Sequence, residues 1–407
     1  MMLHAAARSV TGRRRSSSSD AYHVDNELGL YIVCDGMVGH AAGGRAARIA
    51  IDAARRAVAE QGDAIARARA GQRPLTELTC VVEHAVREAS RVVYEEAVRD
   101  QGSPGMGTTM TLLLVAGSTA AVGHVGHSRL YLSRDSKVTR LSSDHTLAAE
   151  LERRRDGAEE QRRSDPSTRI ATRSVGAQPS VEVDSLAFGV LPGDALLLCT
   201  DGLSACVRYS EQLWPLMEHE VHAILDALVA FATKAGSEDD ITVLAVRVEE
   251  DDEEVTRPSG SELEDKLQTL RASALFKEMP LRRLLRVLTI CQAETYEAGA
   301  EILAEGKPCT GMFLVVRGEV ALLRAGEVVG TLGERQGGGE DCLVRERAAH
   351  LGLRASCQTT LLVIRRERLR ALVTRQPWLG ATLYERIGRL LSVALEQARQ
   401  GVVERVF

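Results

Sequence analysis

Aromatic residues are scarce: Phe, Tyr and Trp make up 3% of the 407 residues. The cores must therefore be assembled mainly from Leu, Val, Ile and Ala. None of the eight cysteines (Cys34, Cys80, Cys199, Cys206, Cys291, Cys309, Cys342, Cys357) stands in a CxxC pair, which argues against a zinc knuckle. Most lie in apolar runs, where a free thiol acts as a small hydrophobe in a reducing compartment. A charge excess is missing as well: 51 basic against 56 acidic residues leave −5, which gives no global reason for nucleic-acid binding. The start, MMLHAAARSVTGRRRSSSSD, lacks the apolar stretch of a secretory leader. Between Gly105 and Ser128 no charged residue occurs, but the Gly, Ser, Thr and His there read as two short strands around a turn rather than a membrane span. The expectation is a soluble, cytoplasmic protein with no membrane and no nucleic-acid partner. What is present, 44% hydrophobic and 26% charged residues, is ordinary globular composition, enough for two or three domains.

The pattern along the chain divides it in two. LGLYIVC at Leu28–Cys34 is a short apolar run ending at Asp35-Gly36, the form of a buried strand followed by a turn. Helices are predicted over Ala46–Glu60, Glu77–Arg99 and Glu211–Ala235, and strands over Met110–Ala116, Ala120–Val125, Arg129–Ser133, Val181–Ala187, Ala195–Cys199 and Ile241–Val248. The charged stretch Glu150–Arg163 reads as a helix or loop with a solvated face. An acidic, turn-rich linker is placed at 249–266, separating a first domain at 1–248 from a second at 267–407. The second reads as a helix from Leu263 to Leu288, short strands with Gly turns from Thr295 to Ile364, and a helix from Arg366 to Val403.

The chemistry candidates are carboxylates at strand ends. Asp35 follows LYIVC, Asp201 follows LLLCT, and Asp239 precedes ITVLAVRV. Three such carboxylates suit Mg²⁺ or Mn²⁺, which take hard oxygen ligands.

From Ser9 to Val248 the chain resembles the metal-dependent protein phosphatases of the type-2C family. The residues that carry the resemblance, in the family's order, are Gly12-Arg13-Arg14-Arg15 leading to Ser19-Asp20, then Val33-Cys34-Asp35-Gly36-Met37-Val38-Gly39-His40 and Met106-Gly107-Thr108-Thr109. Gly123 through Arg129, Asp144-His145, Leu198 through Leu203 and Ser237 through Thr242 complete the set. The resemblance implies an α+β fold, a four-layer α-β-β-α sandwich, and hydrolysis of phosphoserine and phosphothreonine in proteins. Two Mn²⁺ or Mg²⁺ ions would acidify a shared water. Asp35, with the Gly36 carbonyl, Asp201 and Asp239 would hold them, Arg15 would steady the phosphate, and Asp20 would orient water. A phosphoprotein and its cognate Ser/Thr kinase are the implied partners.

Two departures from the family pattern bear on activity. Ser19 stands where an acidic residue normally precedes Asp20, and His127 replaces an Asp associated with a third, weaker metal. Both predict a weakened, Mn²⁺-demanding enzyme with a poor second metal site. The alternative is a pseudophosphatase that binds phosphoproteins or senses a cyclic nucleotide. Asp240 stands where an Asn is usual and returns negative charge. His124 and His145 read as packing residues.

The second region, from about 267 to 390, resembles a cyclic-nucleotide-binding domain. Leu275-Phe276-Lys277-Glu278-Met279-Pro280 matches its entry helix, and the stretch from Tyr296 to Val320, with glycines at 299, 306 and 318, matches its β-roll. The resemblance implies a β-roll with flanking helices and cAMP or cGMP as ligand, with Glu340 on the ribose. Arg347 is the nearest candidate for the cyclic phosphate, about two positions out of register, and Arg354 better fits the next strand.

Overall fold

The computed structural model describes residues 1–13, 15–37, 40–71, 75–100, 105–154, 170–249 and 259–399. Arg14, Val38 and Gly39 of the motifs above lie outside them, as do residues 155–163 of the charged stretch and residues 250–258 of the acidic linker. The chain divides into two compact units, 1–257 and 258–407.

In the first unit β1 (Met2–Val10), β2 (Asp20–Asp25) and β3 (Leu30–Met37) precede three helices, α1 (His40–Ala59), α2 (Gly62–Arg69) and α3 (Leu75–Arg99). Then come β4 (Gly107–Thr108), β5 (Met110–Ala116), β6 (Thr119–Val125), β7 (Arg129–Arg134), β8 (Lys137–Arg140) and α4 (Leu147–Arg154). β9 (Asp184–Gly189), β10 (Ala195–Cys199), α5 (Asp201–Ser204), α6 (Trp214–Met217), α7 (Val221–Lys234) and β11 (Ile241–Glu249) complete it. One antiparallel sheet has the order β1-β11-β10-β7-β8, the other β2-β3-β5-β6-β9, with β4 paired to β3.

Side-chain alternation explains the layering. On β3, Leu30, Ile32 and Cys34 pack with Ala46, Ala50 and Val58 of α1 and Val82, Val86 and Ala89 of α3, while Tyr31 and Val33 are fully buried on the other face. On β10, Leu197 and Cys199 pack with Ile224, Leu225 and Leu228 of α7, while Leu196 and Leu198 are fully buried on the opposite face. Strands covered on both faces carry unbroken apolar runs, and the result is helix, sheet, sheet, helix. Small Ala and Val side chains fill these layers in place of aromatics.

The second unit begins with α8 (Ser259–Ala272) and α9 (Leu281–Leu288). Its strands are β12 (Cys291–Tyr296), β13 (Glu301–Leu303), β14 (Pro308–Cys309), β15 (Gly311–Arg317), β16 (Val320–Arg324), β17 (Glu327–Leu332), β18 (Gly337–Gly338), β19 (Arg347–Ala348), β20 (Gly352–Ala355) and β21 (Thr359–Arg365). They form two four-stranded sheets, β12-β21-β15-β18 and β13-β20-β16-β17, and the ribbon β14-β19. Val315, Val320, Leu322, Leu353 and Leu361 form a core of this roll. α10 (Arg366–Arg375) and α11 (Pro377–Arg399) follow. Among the described residues no helix is long and apolar enough to cross a membrane.

Candidate active site

Antiparallel register between β2 and β3 sets Asp20 opposite Asp35. The Asp35-Gly36 pair is not the turn that its sequence suggests. β3 continues through it, and Gly36 pairs with Thr108 of β4. Glycine is required there because a Cβ would lie 2.2 Å from the Gly43 carbonyl carbon and 2.7 Å from the Ser19 oxygen. The second Asp-Gly pair also differs from a simple turn, since Asp201 opens α5 one residue after β10, with Thr200 between them. A Cβ on Gly202 would lie 2.0 Å from the Asp240 carbonyl oxygen, so only glycine lets α5 pack this closely against the approach to β11.

These constraints bring acidic groups together. Asp35, His127 and Asp201 each offer a ligand atom, all within 4.8 Å of one another. Burial, and then the negative charges of Asp201, Asp20 and Asp239, push the Asp35 carboxyl well above its ordinary range, with Arg15 opposing. Asp20 is raised to about 7, mainly by burial, while hydrogen bonds from Thr242 and Thr200 act against that rise. Asp239 is raised by burial and by Asp201. Carboxylates crowded at this cost are a signature of a functional site, and a divalent cation would relieve the repulsion. The donor set fits Mn²⁺ or Mg²⁺ in its oxygens, with one imidazole added.

Arg15 reaches the same edge from the loop after β1. Its Nη2 lies 2.5 Å from Asp239 Oδ1, and its Nη1 donates to Asp240 Oδ2 at 2.8 Å and to Ser19 Oγ at 2.7 Å. Asp240 is the residue whose part the sequence reading understated. It is fully buried, and besides Arg15 it accepts hydrogen bonds from the Gly12 and Ser19 backbone N–H groups, both at 2.8 Å, and from Ser19 Oγ at 3.0 Å. Burial pushes its carboxyl up, but these donors outweigh that and hold it below its usual value. Ser19 is thus a buried link between Asp240 and Arg15. A cleft beside these groups is lined by Arg15, Asp201, Gly202, Cys206, Ser237 and Asp239.

Threonines quoted earlier without a role turn out to brace Asp35. Its backbone N–H donates to Thr109 Oγ1 at 2.9 Å, and its carbonyl accepts from Thr109 N–H and from Thr108 Oγ1. Arg129 ties three elements: it donates to Asp144 through Nη2 at 2.8 Å and to the Ser204 carbonyl of α5 at 3.1 Å. His124 and His145 are buried, with ring centroids 5.1 Å apart. His124 bonds Thr111 and the Ser143 carbonyl, and His145 Nδ1 accepts from Gly126 N–H at 3.1 Å.

Glu340 and Arg347 lie in the second unit. Gly339, with φ of +87°, turns the chain into a short 3₁₀ turn at Glu340–Leu343. Burial and the neighbouring Asp341 raise the Glu340 carboxyl. Arg347 sits on β19, and its Nε lies 2.7 Å from Asp341 Oδ2. Arg354 is an exposed residue of β20, as its sequence context suggests.

The family profile described as protein phosphatase 2C matches residues 12–236, and the cyclic nucleotide-binding domain profile matches residues 293–376. The serine/threonine phosphatase stp of Listeria monocytogenes serotype 4b is 32% identical over 251 residues, covering 60% of this chain and 95% of its own. The solved phosphatase PstP of Mycobacterium tuberculosis superposes with a TM-score of 0.54 at 29% identity, over 61% of this chain and 100% of that one. The PstP catalytic domain solved in complex with two manganese ions gives a TM-score of 0.50 at 29% identity, over 61% of this chain and 99% of that one. Phosphatase motifs in order, a four-layer sandwich and acidic groups gathered at its edge have one common explanation: the chain belongs to the protein phosphatase 2C family, and its phosphatase domain is followed by a cyclic nucleotide-binding domain.

Proposed function

We propose that the first unit hydrolyses phosphoserine and phosphothreonine in proteins at the edge where Arg15, Asp20, Asp35, Asp201 and Asp239 meet. The observation that carries this reading is the convergence at one sheet edge of Asp35 with Asp20 opposite it and Asp201 within ligand reach, with Arg15 alongside at Asp239. Mn²⁺ or Mg²⁺ held by Asp35, the Gly36 carbonyl, Asp201 and Asp239 supplies Lewis-acid chemistry and an acidified water when bound. Arg15 Nη1 is fixed by Ser19 and Asp240, while Nη2 rests 2.5 Å from Asp239 Oδ1 and is the arm that turns to a phosphate oxygen once that carboxylate engages a cation. A guanidinium fork bonds phosphate with charge-assisted geometry and stabilises charge developing during in-line displacement. Asp20, opposite Asp35, orients the attacking water. The substrate is a phosphoprotein made by a Ser/Thr kinase, and the setting is cytoplasmic.

Phosphate release from a phosphothreonine peptide is the test. The expected result is turnover that requires Mn²⁺ or Mg²⁺ and falls at least 100-fold in Asp239→Asn, on the order of an oxyanion-donor or metal-ligand loss. Folded protein without turnover at millimolar Mn²⁺ would refute the enzyme reading.

For the second unit we propose that its cyclic-nucleotide pocket is held closed to anions, because Arg347 is already neutralised by Asp341. cAMP or cGMP on Glu340 and Arg347 would have to displace that carboxylate.

A further inference from the structure

His127 replaces a carboxylate with an imidazole, and its surroundings give the ring a task. Its Nδ1 is buried and has no hydrogen-bond partner, while 18% of the side chain remains exposed. That nitrogen faces Asp35 Oδ2 at 3.8 Å, too far for a hydrogen bond. A buried polar atom left unpaired is costly, and such atoms in folded proteins usually have a partner that the protein atoms alone do not supply. Here the missing partner lies in the direction of two carboxylates, since Asp35, His127 and Asp201 offer ligand atoms within 4.8 Å of one another.

The turn that carries the ring is also locked to the strand that carries Asp35. Gly126 has φ of +105°, and a Cβ there would lie 2.6 Å from the Thr109 side chain. Ser128 Oγ bonds Thr109 Oγ1 at 2.7 Å, and that same oxygen accepts the Asp35 backbone N–H at 2.9 Å. A site built on such braces is preorganised. Chemistry then decides which ion fits. Mg²⁺ demands near-ideal octahedral oxygen ligands, whereas imidazole suits first-row transition ions and strengthens binding from Mn²⁺ through Co²⁺ towards Zn²⁺. Replacing a carboxylate by a neutral nitrogen also removes a charge that a hard cation would exploit.

We propose that Asp35, His127 and Asp201 form a mixed nitrogen–oxygen site that takes a first-row transition-metal ion in preference to Mg²⁺. On this view His127 is a ligand that changes metal selectivity rather than a lost ligand. The inference rests on the proposed assignment of Asp35 and Asp201 to divalent-cation binding.

The experiment uses the full chain stripped of metal and titrated separately with Co²⁺ and Mg²⁺ by calorimetry, with the visible Co²⁺ absorption recorded alongside. His127→Ala should bind Co²⁺ about 10-fold or more weakly, with a changed absorption band, the range typical of a lost metal-site interaction. His127→Asp should lower the ratio of Co²⁺ to Mg²⁺ affinity by a similar factor. Because a variant could misfold, wild-type protein labelled with ¹⁵N-histidine supplies a second readout: Zn²⁺ should shift the Nδ1 resonance of His127. Co²⁺ binding that is unchanged in both variants, with no shift at His127, would overturn the ligand assignment and leave the carboxylate site standing. Failure of folded wild-type protein to bind any of these ions would overturn both.

Discussion

Asp240 shows how one carboxylate can organise a site without facing the chemistry. It accepts from Gly12, Ser19 and Arg15, so removing it strands buried N–H donors and takes one partner from the arginine. Loss of one member of a buried charged network costs about 3–5 kcal/mol. Asp240→Ala is therefore expected to lose roughly 3 kcal/mol in urea unfolding, and its turnover should fall because Arg15 is held by Ser19 and Asp239 without its buried partner. Unchanged stability would show that water replaces these bonds. His124 makes a different prediction. Burial, then the neighbouring His145, lower its pKa from 6.5 to about 3. Between those values the unfolded chain binds the proton and the folded one does not, so stability falls as pH drops from 6.5 towards 3. At pH 5 the loss from this group is about 2 kcal/mol. The stability gap between wild type and His124→Gln should shrink by that amount from pH 7 to pH 5, and a constant gap would disprove the assignment. The sequence exposed Asp35, Asp201 and Asp239 as acidic groups at strand ends. It gave Asp240 only a returned negative charge and Thr109 no role, because their work depends on atoms more than 70 residues away, such as the Gly12 N–H and the Asp35 N–H.

At the scale of elements, apolar periodicity located strands and helices well and their interruptions poorly. The helix expected over Glu211–Ala235 is a 3₁₀ turn at Ser210–Leu213 followed by α6 and α7, with Pro215 in the first turn of α6 and a break before Val221. The helix expected over Leu263–Leu288 stops at Ala272 and resumes at Leu281 after Pro280, with Glu278 at a φ of +62° in the connection. The final helix divides at Gln376, ahead of Pro377. In each case the apolar stripe runs on across the break, so periodicity alone does not reveal it. α8 begins at Ser259, inside the stretch read as linker. The ion pair between β19 and the 3₁₀ turn at Glu340–Leu343 leads to the next prediction. Neither cAMP nor cGMP at millimolar concentration should raise the melting temperature of the second unit's transition, whereas Asp341→Asn should release Arg347 and restore a response. A ligand at 100 times its Kd stabilises by about 2.7 kcal/mol, so a clear shift in wild type would overturn the closed-pocket reading.

For the whole molecule, the two-part division was readable because motifs of each part occur in order on either side of an acidic stretch. β1 was not, since HAAARSV has little of the β-branched character of a strand and its partner lies more than 230 residues away. Yet β1 pairs with β11 in unbroken register from Met2↔Glu249 to Val10↔Ile241. Ser9 Oγ bonds Thr242 Oγ1 at 2.8 Å, and two residues beyond β1 the Gly12 N–H reaches Asp240. The strand therefore closes one edge of the sheet and delivers the loop that carries Arg15 to the site. It follows that a fragment of residues 1–257, which keeps this pairing and both cores of the sandwich, should unfold in one cooperative transition and retain metal-dependent phosphate release. A fragment of residues 11–257 should lose both, because β11 becomes an unpaired edge and the Arg15 loop has no anchor. Calorimetry and phosphate release measured on the two fragments separate the possibilities. Equal melting and equal turnover would mean that β1 is an appendage and that the Arg15 loop is held by Asp240 alone.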